Sequence, residues 1–368
     1  MNCLLTDCHA HISKHHLTNN GFKLKTMLDR CVQMGVGTIY LSLFESELAW
    51  IEEVEGASRD HRVDVRITLG IEPPSLSRGL ENLGSRLEVA IAMARQLADT
   101  GRIRAVGETG LDYYWPVVNF LQLQGLDRSD IERTMAENRD ELLHEAPVKK
   151  ALRIQRLVFA RCIELAKELG LPLVIHEREA LTDTMELLDK CRIPPDQVMF
   201  HCFGHGKSEA AAVLKAGYWI SLPSSLGFRD PFREVAEDIP LERLLLETDS
   251  PYHSPVPGLW KQARALAQQE QLAKGTRGKE KEKLLRETGR NHFVKSVEEH
   301  FPGLEFTFRE GKASVPAKTY FIESSDNRRI NEPAFIRSSA MSMALIRKQP
   351  LKDICRITSE NASHFYRL

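Results

Sequence analysis

The stretch QRLVFARCIELAKELGLPLVIHER, residues 155–178, contains one helix followed by one strand. Its first part belongs to an amphipathic pattern that predicts a helix over Ala151–Leu169. The apolar run Leu173–Ile175 then predicts a short buried strand, which ends at the polar residue His176. The same alternation of helix and strand continues on both sides of this stretch, so it shows how the rest of the chain is built.

Seven other apolar runs predict strands. They are Leu4–Thr6, Gly37–Leu43, Val65–Leu69, Ile103–Val106, Val198–Phe200, Tyr218–Ser221 and Leu244–Leu246. Further helices are predicted over Lys23–Met34, Gly84–Asp99, Ala180–Cys191 and Ser208–Lys215. Strands that alternate with helices favour a parallel sheet with right-handed crossovers, and eight of them close a TIM (β/α)8 barrel. An open, doubly wound sheet is the alternative, but no glycine-rich phosphate turn follows the first strand.

Two stretches interrupt this alternation, residues 116–150 and residues 259–329. We interpret both as insertions at barrel loops, within a single domain over residues 1–368, because loops tolerate added length. The second stretch contains Lys261–Lys295, with ten Lys or Arg against four Asp or Glu. It passes through KGTRGKEKEK, residues 274–283, which we predict to be a solvated, mobile run.

The overall composition excludes several classes of protein. Lys and Arg number 50 and Asp and Glu 51, so the chain has no global attraction to nucleic acid or anionic membranes. No apolar run approaches the roughly 20 residues of a membrane span, and MNCLLTDCHAH lacks the features of a secretory signal. The seven scattered cysteines form no C-x-x-C pair, which favours reduced thiols. We therefore expect a cytoplasmic protein without a membrane partner.

Five predicted strands end in a residue able to bind a metal ion. His9 and His11 follow the first strand, and their i, i+2 spacing places both on one face. The other strand ends are Glu108, His176, His201 and Asp249. The carboxyl ends of barrel strands meet at one mouth, so these side chains are expected to converge. One polar residue after a buried strand is common, but five ends drawn from His, Glu and Asp favour a metal site.

Six ligands exceed the needs of one tetrahedral ion and suit two divalent ions that share a carboxylate. Glu108 is the natural bridge because its carboxylate offers two oxygens. Asp249 is the natural general base or water-orienting group, because an ionised carboxylate accepts the proton of an attacking water. A mixed nitrogen and oxygen site accepts Zn, Mn, Co or Ni, with Mg less suited to imidazole. Such a site requires His9 and Asp249 to lie within about 10 Å of each other.

The motifs at these positions resemble those of the TatD family of metal-dependent hydrolases, in the amidohydrolase superfamily of TIM barrels. The resemblance rests on D-x-H-x-H (Asp7, His9, His11), G-E-x-G-L-D (residues 107–112), the stretch 155–178, His201-Cys202-Phe203, IPLERLLLETDSPYHSP (239–255), NEPAFI (331–336) and ITSENASHFYRL (357–368). It covers most of the chain outside the two insertions.

The resemblance implies which residues hold each ion and what is cut. His9, His11, Glu108 and Asp249 would hold one metal, and Glu108, His176 and His201 the other. The family's members are described as deoxyribonucleases that act on DNA ends. Arg178 matches the position of an arginine near substrate phosphate, which a guanidinium binds through two hydrogen bonds. The alternative for Arg178 is a salt bridge with Glu177 or Glu179.

One position departs from the family pattern. Where the family usually reads G-I-H-P-H, this chain has Gly70-Ile71-Glu72-Pro73-Pro74. A carboxylate at Glu72 that faces the pocket opposes a phosphodiester by about 1 kcal/mol at a few ångströms. This departure keeps open a second interpretation, a hydrolase of an ester or amide outside nucleic acids.

A third interpretation is a non-catalytic metal-binding or nucleic-acid-binding scaffold that uses the basic stretch 261–295. That stretch lacks interleaved aromatic residues between Lys261 and Arg290, so it offers no base-stacking platform. His205 and His253 each lie within four residues of a predicted ligand and are candidates for contacting substrate or supporting a ligand. The remaining histidines are predicted at the surface: His61, His144, His292, His300 and His364.

Overall fold

Eight parallel strands form one sheet in which each strand pairs with the next along the chain. The computed structural model describes residues 4–14, 17, 23–71, 73, 83–273, 278–302, 307–309, 312–315, 320–322 and 331–367. The strands are β1 (Leu5–Ala10), β2 (Val36–Phe44), β3 (Asp64–Gly70), β4 (Ile103–Asp112), β5 (Leu173–Arg178), β6 (Val198–Phe200), β7 (Trp219–Leu222) and β8 (Leu244–Leu246). All eight predicted strands are present.

Hydrogen bonds between the first and last strands close the sheet. The Asp249 N–H, just after β8, donates to His9 O at 3.0 Å, and the His11 N–H donates to Ser250 O at 2.7 Å. The buried Asp7 carboxylate accepts from the backbone N and Oγ1 of Thr248, at 2.9 and 2.6 Å. The prediction of a TIM barrel is confirmed, and the open doubly wound alternative is wrong because a closed sheet has no free edge.

Helices on the outside of the barrel connect the strands. Up to β8 they are α1 (Leu24–Gln33), α2 (Ile51–His61), α3 (Leu83–Asp99), α4 (Tyr114–Leu123), α5 (Arg128–Leu142), α6 (Ala146–Leu169), α7 (Leu181–Cys191), α8 (Lys207–Lys215) and α9 (Asp230–Asp238). After β8 come α10 (Val256–Ala273), α11 (Gly278–His300), α12 (Ile336–Arg347) and α13 (Leu351–Phe365). Short 3-10 turns occupy Glu45–Trp50, Pro195–Gln197, Leu241–Arg243 and Pro333–Phe335.

The two interrupting stretches have regular structure of their own. Between β4 and α6, helices α4 and α5 enclose a small apolar cluster that includes Val117, Ile131 and Met135. In the second stretch α10 and α11 pack together, and a small antiparallel sheet follows: β9 (Thr307–Arg309), β10 (Lys312–Val315) and β11 (Tyr320–Ile322). The run predicted to be solvated and mobile at 274–283 continues into α11 from Gly278, its first four residues lie outside the described ones, and its mobility stays a prediction. The division into one domain with two insertions stays our interpretation.

A buried ion pair fixes the chain where it returns to the barrel after these strands. The Arg30 guanidinium on α1 donates to both carboxylate oxygens of Glu332, at 2.9 and 2.8 Å. The neighbouring Asn331 amide donates to the backbone oxygens of Thr248 and Tyr252, both at 2.7 Å. The segment that starts the NEPAFI motif therefore holds the loop after β8, which carries Asp249.

The prediction of a surface position is wrong for one histidine. His300, the last residue of α11, is buried, and its Nδ1 lies 2.8 Å from Ser338 Oγ. Burial lowers its pKa to about 4. Phe293 and Val297 of the same helix are also buried, so the end of α11 that contains His300 lies in the interior.

Among the described helices, none combines the length and apolar character that crossing a membrane requires.

Candidate metal centre

The ends of β1, β4, β5, β6 and β8 bring the six predicted ligands together at the mouth of the barrel. His9 lies on β1 and His11 just beyond it, and their Nε2 atoms are 3.1 Å apart. His176 lies on β5, while His201 and Asp249 follow β6 and β8. The Nε2 of His9 is 4.0 Å from Asp249 Oδ1, well inside the distance that a shared site requires.

The chain reaches this arrangement at Glu108 through an irregular stretch of β4. The pairing of β4 with β5 shifts register between Val106 and Thr109, which is the effect of a bulge. Gly107 and Gly110 have φ of +138° and +152°, values that residues with a Cβ rarely adopt. A Cβ on Gly110 would also collide with the backbone oxygen of His176. The two glycines therefore let β4 approach β5 closely and place Glu108 at the centre of the mouth.

The two carboxylate oxygens of Glu108 face different pairs of histidines. Oε2 lies 3.2 Å from His9 Nε2 and 2.9 Å from His11 Nε2. Oε1 lies 2.8 Å from His176 Nδ1 and 3.5 Å from His201 Nε2. Asp249 Oδ1 adds to the first pair, at 3.8 Å from His11 Nε2. The candidate ligands thus fall into two groups that share Glu108, as the family resemblance implies, and His9 also lies close enough to Glu108 and His201 to bind an ion with them.

Two further carboxylates orient the histidines of the second group. Asp112 Oδ2 lies 2.9 Å from His176 Nε2, which leaves Nδ1 directed at Glu108. Glu247 Oε1 lies 3.6 Å from His201 Nδ1, and its other oxygen accepts from Ser221 Oγ. Carboxylates on the outer nitrogen fix the tautomer and ring orientation of metal-binding histidines. The sequence reasoning assigned no role to Asp112 or Glu247.

Burial and proximity shift the proton affinity of the cluster. Burial lowers the pKa of His9 to about 4 and raises that of Asp249 to about 7. Although burial opposes the change, Asp112 and Glu108 raise the pKa of His176 to about 10. The pKa of Glu108 is well below its ordinary value because the surrounding histidines outweigh its burial. Without a metal ion the cluster therefore favours an ionised Glu108 beside a protonated His176.

We predict that Asp112→Asn weakens metal binding by about 10- to 100-fold, the usual cost of losing a carboxylate behind a histidine ligand. The amide of this variant would keep an oxygen for the Tyr114 and Trp115 N–H groups, from which Asp112 Oδ1 accepts at 2.9 and 2.8 Å. Its N–H would face His176 Nε2 and favour a proton on Nδ1, the nitrogen directed at Glu108. Metal titration followed by calorimetry measures the change, and unchanged affinity would contradict this role.

The residues predicted to contact the substrate differ in their exposure and in their partners. Arg178 is exposed, and its Cζ lies 3.6 Å from the centre of the Tyr114 ring. His205 Nε2 lies 2.5 Å from Glu177 Oε2. The sequence analysis did not predict Glu177 as the partner of His205. His253 Nε2 lies 3.7 Å from Asp249 Oδ2. Glu72 lies outside the described residues.

Neither alternative partner of Arg178 forms an ion pair with it in the described part of the chain. Glu177 instead pairs with His205, and Glu179 pairs with Arg139 of α5. Burial and the nearby Arg229 lower the pKa of His253 to about 4. His205 shifts the other way, because its hydrogen bond to Glu177 raises its pKa.

A signal for the missed carboxylates was present in the sequence. Glu247 precedes Asp249 by two residues, and Asp7 precedes His9 by two, while Asp112 follows Glu108 by four. Alternation along a strand favours one side for residues two or four apart, although it applies directly only to Asp7 and His9 of β1, because Glu247 and Asp249 follow β8 and β4 is irregular near Glu108.

A (β/α)8 barrel whose mouth gathers histidines, a glutamate and an aspartate defines the class of metal-dependent hydrolases. The model of the family described as TatD related DNase matches residues 6–367, so the chain belongs to this family and is a metal-dependent hydrolase.

Individual relatives agree with this assignment. The chain is 30% identical, over 257 residues, to a Mycobacterium tuberculosis protein named uncharacterized metal-dependent hydrolase TatD; the match covers 69% of this chain and 82% of the relative. It is 28% identical over 256 residues to mouse TATDN3, named a putative deoxyribonuclease, covering 68% and 74% of the two chains. The solved structure of a TatD family hydrolase from Entamoeba histolytica has the same fold, with a TM-score of 0.65, 18% identity and coverage of 100% and 99%.

Proposed function

We propose that this chain is a two-metal phosphodiesterase, a deoxyribonuclease that acts on DNA ends, located in the cytoplasm. The observation that carries the proposal is the position of the Glu108 carboxylate between two pairs of histidines. One of its oxygens faces His9 and His11, and the other faces His176 and His201. One carboxylate between two sets of nitrogen ligands is the arrangement that a pair of cations requires. The family name and the name of the mouse relative support DNA as the substrate.

The donor atoms fit divalent ions. The Nε2 atoms of His9 and His11 and the Oε2 of Glu108 lie 2.9 to 3.2 Å from one another. That spacing is close to the separation of ligand atoms that bind one ion at about 2.0–2.2 Å. His9, His11, Asp249 and Glu108 would hold one ion, and His176 Nδ1, His201 Nε2 and Glu108 the other. Bound ions of this kind lower the pKa of water and polarise the phosphate.

The chain's own residues would position the substrate and accept the proton of the attacking water. Asp249 is buried within the cluster and its carboxylate oxygens are acceptors for the proton of the attacking water. Arg178 lies over the Tyr114 ring, with Cζ 3.6 Å from the ring centre, and its guanidinium N–H groups are candidate donors to the phosphate. His205 and His253 flank the same region, as candidates for contacting the leaving group or the nucleotide.

Glu72 supports the second candidate function, hydrolysis of an ester or amide outside nucleic acids. Its position in place of a family histidine places a negative charge in the segment that follows β3. The scaffold interpretation has less support, because the complete set of six ligands converges in one place.

The experiment that tests the proposal is metal analysis of the purified protein followed by an activity screen. Single-stranded DNA, duplex DNA with free ends, RNA and a small phosphodiester are each assayed before and after chelation. Zn, Mn, Co, Ni and Mg are then restored one at a time. We expect about two ions per chain at the centre and DNA trimming that chelation abolishes. A metal-loaded protein that cleaves an ester or amide but no phosphodiester would favour the second candidate.

We predict that Glu72→His raises phosphodiesterase activity by roughly fivefold, chiefly through tighter binding, because a repulsive charge of about 1 kcal/mol is removed. Assays at low salt maximise the effect of an exposed charge. Arg178→Ala serves as the control and is expected to weaken phosphate binding with either residue at position 72. An unchanged KM and rate in the Glu72→His variant would show that the carboxylate does not face the substrate.

A further inference from the structure

A third group of donor atoms lies beside the centre, on the side of β6 and β8. Cys202 Sγ, Asp249 Oδ2 and His253 Nε2 belong to three residues whose ligand atoms all lie within 4.8 Å of one another. We propose that these three residues hold a further divalent cation, distinct from the two ions of the proposed function. A thiolate, an imidazole and a carboxylate together favour a thiophilic ion, and zinc is the one that this donor set selects over magnesium and manganese.

The separations between these atoms match those around one tetrahedral ion. Cys202 Sγ lies 3.3 Å from His253 Nε2, and His253 Nε2 lies 3.7 Å from Asp249 Oδ2. Zinc binds sulfur at about 2.3 Å and nitrogen or oxygen at about 2.0–2.2 Å, so tetrahedral ligand atoms lie roughly 3.3–3.7 Å apart. These two separations suit one ion, and Cys202 Sγ lies within 4.8 Å of the Asp249 carboxylate, so the three side chains can reach one ion together.

The position is separate from the centre because Asp249 has two oxygens that face opposite ways. Oδ1 faces His9 and His11, at 4.0 and 3.8 Å from their Nε2 atoms. Oδ2 faces His253 instead. A cation on Oδ2 would thus leave Oδ1 directed at the centre, and Asp249 would join the two positions as Glu108 joins the two histidine pairs.

The surroundings hold the His253 ring in the orientation that a ligand needs. Its Nδ1 contacts Ser225 Oγ at 2.9 Å and Arg229 Nη1 at 3.4 Å, on the side away from Cys202. A cation at Nε2 selects the tautomer with its proton on Nδ1, which Ser225 Oγ accepts; the longer contact with Arg229 Nη1, which can only donate, gives way in that tautomer. The ring also packs edge-on against Phe232, with ring centres 5.5 Å apart. These contacts leave Nε2 as the nitrogen available to an ion.

All three residues adopt a backbone conformation that is unusual for their type. Cys202, Asp249 and His253 have φ of +47°, +48° and +55°, in the left-handed region. Such conformations cost non-glycine residues about 1 kcal/mol each or more and tend to cluster at functional sites. Of the eight non-glycine residues with positive φ in the described part of the chain, these three converge on one point. Cys202 and His253 are also partly exposed, so an ion can reach them from solvent.

The test is a cobalt(II) titration of the purified, metal-stripped chain, followed by absorption spectroscopy. Cobalt(II) bound to a thiolate gives a strong charge-transfer band in the near ultraviolet, whereas cobalt(II) bound by nitrogen and oxygen alone does not. A coordinating thiol loses its proton to solvent when the ion binds, so the band reports the bond between the ion and Cys202 directly. We expect three equivalents of cobalt in the wild-type chain, one of them accompanied by the band.

Single substitutions separate this site from the centre. Cys202→Ser and His253→Leu are each expected to lose the band and one of the three equivalents, and the second variant serves if the first fails to fold. Cys191→Ser is the matched control, because Cys191 is also partly exposed but lies at the end of α7, and it should keep the band.

The inference shares Asp249 with the proposed metal centre and His253 with its candidate substrate contacts, and the failures of the two proposals are distinguishable. Two equivalents of metal without the charge-transfer band would overturn the third site and leave the proposed two-metal centre in place. A band that persists in Cys202→Ser would also overturn the third site, since another cysteine would then bind the ion. A wild-type chain that binds no metal at all would overturn both.

Discussion

Asp249→Asn is expected to lower phosphodiester turnover by about 100-fold or more while the chain remains folded. The amide keeps the shape of the carboxylate, and the backbone hydrogen bond from residue 249 to His9 does not depend on the side chain. The substitution removes the acceptor for the water proton and one negative charge facing His9 and His11. Steady-state kcat and KM on a small phosphodiester, measured with metal content on the same samples, test the prediction.

The matched control is Asp64→Asn, at the start of β3. Asp64 is exposed and forms its ion pair with Arg66, far from the ligand set in the sequence and on a strand that carries no ligand. It should leave both turnover and metal content unchanged. Near wild-type turnover by Asp249→Asn, with full metal content, would show that this carboxylate is not the proton acceptor.

The candidate ligands could be chosen from the sequence because each follows closely on a predicted strand. A short apolar run predicts a buried strand, and polar residues within the next few positions lie at the mouth of a barrel. The same rule misplaced strand ends. β1, β4 and β5 continue to Ala10, Asp112 and Arg178, beyond the apolar runs that marked them. The strand pairing continues there because the barrel mouth accommodates polar side chains. A prediction based on apolar runs ends each strand at the first polar residue.

What the sequence did not reveal are partnerships between distant residues. His201 and Glu247 follow different strands, β6 and β8, and nothing in either local pattern selects the other. Cys202 and His253 each follow a predicted ligand, but their approach to each other depends on how β6 and β8 sit in the closed sheet. Burial of His300 was missed for the same reason, because it depends on the contact of α11 with the start of α12.

The Arg30–Glu332 pair is the clearest of these long-range partnerships, and removing one member is expected to have a large effect. Arg30→Met should lower the free energy of unfolding by about 3–5 kcal/mol at pH 8, because it leaves a buried carboxylate unpaired. Both side chains are almost fully buried. Replacing both, with Arg30→Met and Glu332→Leu, should bring stability within about 1 kcal/mol of the wild type. Chemical denaturation of the four proteins in this cycle gives the coupling.

The effect of Arg30→Met should depend on pH in a defined direction. Burial raises the pKa of Glu332 to about 7 even though Arg30 opposes the shift, against an ordinary value of about 4.3. A carboxyl whose folded pKa is raised favours the folded state most at low pH, and stability falls as pH rises towards the folded pKa. Without Arg30 that pKa rises further, so the fall extends to higher pH. The deficit of the variant should stay nearly constant from pH 5 to about pH 7 and widen from there to pH 8, where only the variant continues to lose stability.

Turnover distinguishes a stabilising pair from one that also positions the site. Asn331 holds the backbone on both sides of Asp249, so a shift of Glu332 is transmitted to that loop. If the ion pair sets the loop position, the double variant recovers its stability but keeps a reduced kcat. If packing alone sets it, the double variant recovers both. Arg128→Met, in an exposed ion pair with Glu132, should change neither stability nor turnover measurably, and a large loss there would show that the cycle reports a general effect of removing arginine.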